Sequence, residues 1–238
     1  MFKNIIKKIV HNLGYKIIPL AAITKPEVSN PEDIERLNQV SLSGGPILLH
    51  FGCGPRVLKN WINIDLAFEP YEYYLQFYGE EFYPENIRGS RKDLFEINII
   101  RDGIPLPDNS VDGIFHEDFF EHLVQRDQII FLAETLRVLK PGCVHRINTP
   151  NLSASMRDYS DFKKGKSGVY TDEWNQWEHF SVINPVILEE MAKMTGYSDV
   201  QFTERNKSHI AHVLPKEYRP NPADRPAIDA NVFADLYK

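Results

Sequence analysis

The sequence predicts an α/β domain: a mostly parallel sheet with helices on both faces. Three observations predict it. Short apolar runs alternate with segments of helical periodicity from residue 46 to about residue 204. Two glycines follow the first run, in Ile47-Leu48-Leu49-His50-Phe51-Gly52-Cys53-Gly54-Pro55. A carboxylate closes the next run, Trp61-Ile62-Asn63-Ile64-Asp65. A strand, a glycine turn with a short helix, and a second strand ending in an acid make half of a nucleoside site. Such a site lies at the carboxyl edge of a parallel sheet. The glycines let backbone approach a ligand where a Cβ would collide. The acid accepts hydrogen bonds from both hydroxyls of a ribose.

The elements follow in chain order. Phe2, Ile5, Ile6, Ile9, Val10 and Leu13 repeat at helical spacing, with Lys3, Lys7 and Lys8 on other faces. This amphipathic helix either docks its stripe on the domain, the preferred reading, or makes weak peripheral membrane contact through residues 2–14. Residues 1–45 are then this helix and a linker holding prolines, serines and Gly44-Gly45, with one further helix over 31–40. Strands are expected at 46–51, 61–65, 90–94, 111–116, 143–149 and 198–204. Helices are expected at 55–60, 117–124, 127–139 and 184–195. The ligand-binding domain spans 46–214, and residues 215–238 form a proline-rich arm and a last strand over 231–237. Residues 68–88 carry eight aromatic side chains, Phe68 to Tyr83, and read as a helix packing them into the core. Residues 152–178 read as a loop after the fifth strand, bordering the crevice. Its Trp and Tyr residues suit stacking on a flat acceptor such as a sugar ring.

Composition sets bounds. The chain of 238 residues fits one α/β domain with additions. A net charge of −6 with mixed signs argues against nucleic acid, which needs a positive phosphate-tracking surface. The two cysteines, Cys53 and Cys143, suit a reducing compartment rather than a disulfide framework. No apolar run approaches the roughly 20 residues of a membrane span, and no signal peptide is evident. The expected location is cytoplasmic, with a peripheral position at the inner face of the membrane as the variant.

Further motifs sharpen the reading. Leu106-Pro107-Asp108-Asn109-Ser110-Val111-Asp112-Gly113-Ile114-Phe115 resembles the approach to strand four of the class I S-adenosylmethionine-dependent methyltransferases. Glu121-His122-Leu123 stands where that family often has the same triplet. Leu136-Arg137-Val138-Leu139-Lys140-Pro141-Gly142 resembles its turn before strand five, and Arg146-Ile147-Asn148-Thr149-Pro150-Asn151 its strand end. His179-Phe180, Asn184-Pro185 and Leu188 to Gly196-Tyr197 resemble its late helix and the approach to strand six. The resemblance is to the type 11-like members, and the run LHFGCG…WINIDL resembles members encoded with polysaccharide biosynthesis genes. Two positions depart from the family pattern. His50 stands where an acid is usual, and Arg56 takes the third glycine position.

The resemblance implies a Rossmann-like class I methyltransferase fold with seven mostly parallel strands, and S-adenosyl-L-methionine as cofactor. It places His50, Gly52, Cys53 and Gly54 against the methionine and ribose, and Asp65 on the ribose hydroxyls. Asp93 would end strand three and face the adenine, beside Leu94. His116 would end strand four beside the transferred methyl. The implied acceptor is a small molecule or saccharide, most simply a sugar or other small hydroxyl compound, lipid- or nucleotide-linked in one variant. A hydroxyl acceptor benefits from a base. His116, Asp118 and His179 are the candidates. The run from His116 to His122 lacks the spacing of a zinc-protease helix, so no metal is expected and His122 reads as a brace. Two rivals stay open: a nicotinamide-dependent oxidoreductase on a related sheet, and a methyltransferase-like binding subunit without turnover.

Overall fold

In the computed structural model, residues 28–40, 44–75, 79–158, 174, 177–217 and 229–238 are described. The helix expected within residues 2–14, most of the 152–178 loop and residues 218–228 of the arm lie outside them. Seven strands form one sheet: β1 (Leu48–Phe51), β2 (Ile62–Asp65), β3 (Leu94–Glu96), β4 (Val111–Glu117), β5 (Leu139–Pro150), β6 (Asp199–Phe202) and β7 (Asn231–Tyr237). Their order is β3-β2-β1-β4-β5-β7-β6. The first five pair in parallel, whereas β7 runs antiparallel between β5 and β6. The order reverses between β1 and β4, so the crevice for a ligand opens at their carboxyl ends. Among the described residues, no helix is long and apolar enough to cross a membrane.

Four helices of more than one turn flank the sheet in the described residues: α1 (Pro31–Val40), α2 (Gln125–Val138), α3 (Leu152–Asp158) and α4 (Pro185–Thr195). The sequence chemistry sets their limits. At α4, Asn184 caps the start by accepting from the Ile187 N–H at 3.0 Å, Pro185 opens the first turn, and Gly196 ends it at φ 110°. Helix α2 buries Phe131, Leu132, Thr135 and Val138 against the sheet. Arg137, from the late motif, bonds the Ile104 and Leu106 carbonyls and the Asp108 carboxylate, and so clamps the loop before β4.

The structure departs from the sequence reading in five places. The helix expected over 55–60 is a chain of turns, because the Asn63 side chain takes up the local backbone. Its Nδ2 donates to the Leu58 and Trp61 carbonyls, and its Oδ1 accepts from the Leu58 N–H. The helix expected over 117–124 is one 3-10 turn, Phe120–His122. Strand β4 runs on through Glu117, and Asp118 then turns left-handed at φ 49°. The third strand is displaced from 90–94 to Leu94–Glu96. Ser90 and Asp93 cap a 3-10 turn ahead of it. The described residues of 68–88 form no long helix. Pro70, Gly79 and Pro84 divide them into single turns, yet Tyr74 and Tyr83 still bury themselves against Leu58, Trp61 and Phe115. Finally, the described start of the expected arm, residues 215–217, takes part in the packing. Glu217 is fully buried in a two-pronged ion pair with the equally buried Arg146.

Candidate active site

The loop after β1 is built around Asp65, at the carboxyl end of β2. Its Oδ2 accepts from the Gly54 N–H at 2.8 Å and its Oδ1 from the Leu66 N–H at 2.6 Å. These bonds fix the carboxylate at the edge of the sheet. Gly54 takes φ 47°, which favours glycine, and a Cβ there would meet only the Glu69 carboxylate, at 3.7 Å. Backbone can therefore be approached at Gly54. Gly52, at φ 57°, differs: a Cβ would stand 2.3 Å from the Phe119 ring. The close approach at Gly52 is made by an aromatic side chain of this chain itself. Glu96 stands opposite Asp65 across the β2–β3 register and pairs with Arg91 at 3.2 Å.

Several sequence-predicted residues lie elsewhere. Asp93 stands at the amino end of β3, in the cap of the 3-10 turn, with its Oδ2 accepting from the Ser90 N–H at 2.8 Å. It cannot face an adenine at the carboxyl edge, where Glu96 stands instead. Leu94 opens β3 and is buried with Cys53 and Val57 in a small apolar cluster. Burial, with Asp65 and Glu69 nearby, pushes the Cys53 thiol well up, so it stays protonated.

His50 and His116 face the core rather than the crevice. The His50 ring stacks on Phe115 at 5.2 Å, and its Nδ1 lies 2.9 Å from Asn63 Oδ1. The amide nitrogen of Asn63 already donates to carbonyls, so Oδ1 accepts and His50 Nδ1 carries the proton. Burial lowers its pKa to about 3, against a smaller opposing effect of the Asn63 bond. His116 is fully buried among Phe119, Phe120, Phe131 and His145, with neither ring nitrogen hydrogen-bonded. Burial, then the neighbouring His145 and His50, hold it well below the usual imidazole range. A buried neutral ring cannot serve an acceptor in the crevice. The reason is strand alternation: Glu117, not His116, points to the glycine turn.

Glu117 meets Arg56, the residue in the third glycine position, in a buried ion pair. Arg56 also donates to the Phe82 carbonyl at 2.7 Å and the Lys216 carbonyl at 2.5 Å. Asn148 of β5 donates to the other Glu117 oxygen at 3.4 Å and accepts from Asn231 of β7 at 2.6 Å. One network thus ties the glycine turn, the aromatic insertion, the carboxyl ends of β4 and β5 and the amino end of β7. Sequence reasoning missed it, although a charged residue replacing a loop glycine was a signal.

Beyond β4 a second group forms. Glu121, fully buried in the 3-10 turn, accepts from Thr149 Oγ1 of β5 at 2.9 Å through Oε2. Its Oε1 has no hydrogen bond and lies 3.8 Å from His179 Nε2. The His122 ring packs edge-on to His179, 4.9 Å between centroids. Burial, and then the charge of Asp118, push the Glu121 carboxyl up to about 7. Of the base candidates, His179 therefore stands in this group and Asp118 beside it, while His116 does not. The sequence alone gives Glu121 no role at the site and reads His122 as a brace.

The fold and this edge define a class. A seven-stranded sheet with an antiparallel β7, a glycine turn after β1 and an acid closing β2 is the Rossmann-like class I methyltransferase fold. Residues 49–147 match the family model described as "Methyltransferase domain". The chain is 48% identical over 137 residues to a Mycolicibacterium smegmatis protein named "Probable S-adenosylmethionine-dependent methyltransferase". That match covers 56% of this chain and 49% of the relative, so the chain spans about half the length of the curated relative it matches. Among solved structures it is similar to a SAM-dependent methyltransferase from Archaeoglobus fulgidus (TM-score 0.49, 16% identity, 86% of this chain and 92% of that one). Another is Haemonchus contortus phosphoethanolamine N-methyltransferase 2 in complex with S-adenosyl-L-methionine (TM-score 0.47, 15% identity, 98% of this chain and 59% of that one). The cofactor of this domain class is S-adenosylmethionine. The edge fits its nucleoside half, because Gly54 leaves its face open beside the tethered Asp65 carboxylate.

Proposed function

We propose that the chain is an S-adenosylmethionine-dependent methyltransferase whose acceptor is a sugar or another small hydroxyl compound, with a role in surface polysaccharide biosynthesis. The observation that carries the methyltransferase reading is Asp65, held at the sheet edge by the N–H groups of Gly54 and Leu66 within a matched methyltransferase domain. The cofactor supplies a methyl group activated on a sulfonium. Asp65 would accept from the ribose hydroxyls, and Gly54 would let the backbone lie against the sugar. Glu96, opposite Asp65 on the next strand out, would meet the adenine end. Phe119, packed on Gly52, would exclude water from the methionine side. The protein's main task is then alignment of acceptor and methyl at about 3–3.5 Å.

A hydroxyl acceptor also needs its proton removed. With His116 buried in the core, Asp118 and His179 are the groups we assign to that edge. The acceptor reading is supported by the likeness of LHFGCG…WINIDL to members encoded with polysaccharide genes. Two measurements test the proposal. Calorimetry with S-adenosylhomocysteine should give micromolar binding, about −8 kcal/mol. Release of S-adenosylhomocysteine should then be followed across nucleotide sugars, lipid-linked sugars and amines. Turnover on amines alone would overturn the hydroxyl reading, and no binding by folded protein would overturn the methyltransferase reading.

A further inference from the structure

We propose that Glu121, His122 and His179 form a site for one divalent first-row transition-metal ion at the carboxyl edge beside β4 and β5. One ligand atom from each lies within 4.8 Å of the others. Two ligands of one zinc-like ion, each about 2.0–2.2 Å from it, stand roughly 3–4 Å apart. Side-chain movements of about 1 Å therefore bring the three to coordination, and His122, which is exposed, can make them.

The surroundings support a cation. The Glu121 oxygen facing the cluster, Oε1, is buried without a hydrogen bond, whereas Oε2 is held by Thr149. A buried carboxylate oxygen left without a donor is costly unless a cation meets it. The His122 Nδ1 lies 3.3 Å from the Glu178 carbonyl, which can only accept, so Nδ1 carries the proton and Nε2 the lone pair. A histidine fixed through its other nitrogen by a carbonyl is the arrangement in which imidazoles ligate metals. The backbone locks the two halves together. The N–H groups of Phe180 and Ser181 both donate to the Glu121 carbonyl, at 2.8 and 3.1 Å, which holds the neighbouring His179 against the turn. Two imidazoles and one carboxylate suit zinc, cobalt, nickel or iron over magnesium or calcium, which prefer oxygen alone. Three protein ligands leave a position open, and on the methyltransferase reading that position takes a hydroxyl oxygen of the acceptor, with Asp118 as the base because a metal-bound His179 has no lone pair left for a proton. The binding itself does not depend on that reading.

The test uses the full chain stripped with a chelator and titrated with Zn²⁺ by calorimetry. We expect one equivalent bound at micromolar affinity or tighter. His122→Ala and His179→Ala should each weaken it at least tenfold, and Mg²⁺ should compete poorly. His209→Ala, at an exposed histidine beside Tyr237, should leave it unchanged. Glu121 is buried, so Glu121→Gln is read only if its circular dichroism and melting match the parent. The exposed His122 variant keeps the test decisive if Glu121→Gln unfolds. No saturable Zn²⁺ binding, or unaltered binding in both histidine variants, would overturn the site, and equally tight Mg²⁺ would overturn the metal class. S-adenosylhomocysteine binding is measured on the same stripped protein. Its absence beside intact Zn²⁺ binding would sink the methyltransferase reading and leave the metal site standing.

Discussion

His145 should make the fold acid-sensitive in a way that one substitution removes. It is fully buried on β5, and burial lowers its pKa to about 3. Its Nδ1 lies 3.0 Å from the Tyr197 hydroxyl, which lies 3.0 Å from Thr135 Oγ1, whose hydrogen goes to the Phe131 carbonyl at 2.8 Å. The chain of donors therefore runs from His145 Nδ1–H to Tyr197 to Thr135 to the backbone. The other nitrogen, Nε2, is buried without a partner near His116 and Phe131. No carboxylate bonds the ring, so protonating it in place leaves a buried unpaired charge. The folded pKa lies below the unfolded value of about 6.5. Stability is therefore fully present above pH 6.5 and is lost as pH falls from there toward 3. Below pH 6 the unfolded chain binds one more proton at this site, worth about 1.4 kcal/mol per pH unit. Between pH 7.5 and 4.5 that sums to about 2.7 kcal/mol. His145→Asn cannot titrate and keeps a partner for Tyr197. Its packing cost is independent of pH and drops out when the stability difference from wild type is compared across pH. Urea unfolding at pH 7.5, 5.5 and 4.5 should show that difference moving in the variant's favour by about 2.7 kcal/mol. A difference constant to about 0.5 kcal/mol across this range would refute the assignment of a neutral buried imidazole.

Three further outcomes are expected. Asp65→Ala should weaken S-adenosylhomocysteine binding by about 1.5–3 kcal/mol, the scale of hydrogen bonds to a charged group, and should also lower the melting temperature through loss of the Gly54 and Leu66 bonds; calorimetry and thermal melting read both. Arg56→Leu strands Glu117 in the interior and should cost about 3–5 kcal/mol, whereas Arg56→Met with Glu117→Leu should recover most of it in denaturant titration. Gly52→Ala places a methyl against the Phe119 ring on a left-handed backbone and should cost about 1–3 kcal/mol; a double-mutant cycle with Phe119→Ala should return only the collision part.

Local chemistry wrote much of this protein into its sequence. The apolar runs, glycine turn and acid at Asp65 located β1 and β2, and alternation over 231–237 located β7 at Asn231–Tyr237. Asn184, Pro185 and Gly196 bounded α4, because caps and breakers act within a few residues. Those signals fixed the fold class and the edge on which a site must lie. Tertiary structure decided which way side chains point. Central strands of a parallel sheet are apolar on both faces, so the pattern of β4 could not say whether His116 or Glu117 meets the crevice. Strand three starts late because Asp93 serves in the cap of the 3-10 turn, while its carbonyl accepts from Asn63 Nδ2 at 3.0 Å. The meeting of Glu121, His122 and His179 was beyond sequence reading for another reason. Residues 122 and 179 are separated in sequence by α2, β5 and α3, and contacts made in the fold, among them the backbone bonds from Phe180 and Ser181 to Glu121, bring them to one place.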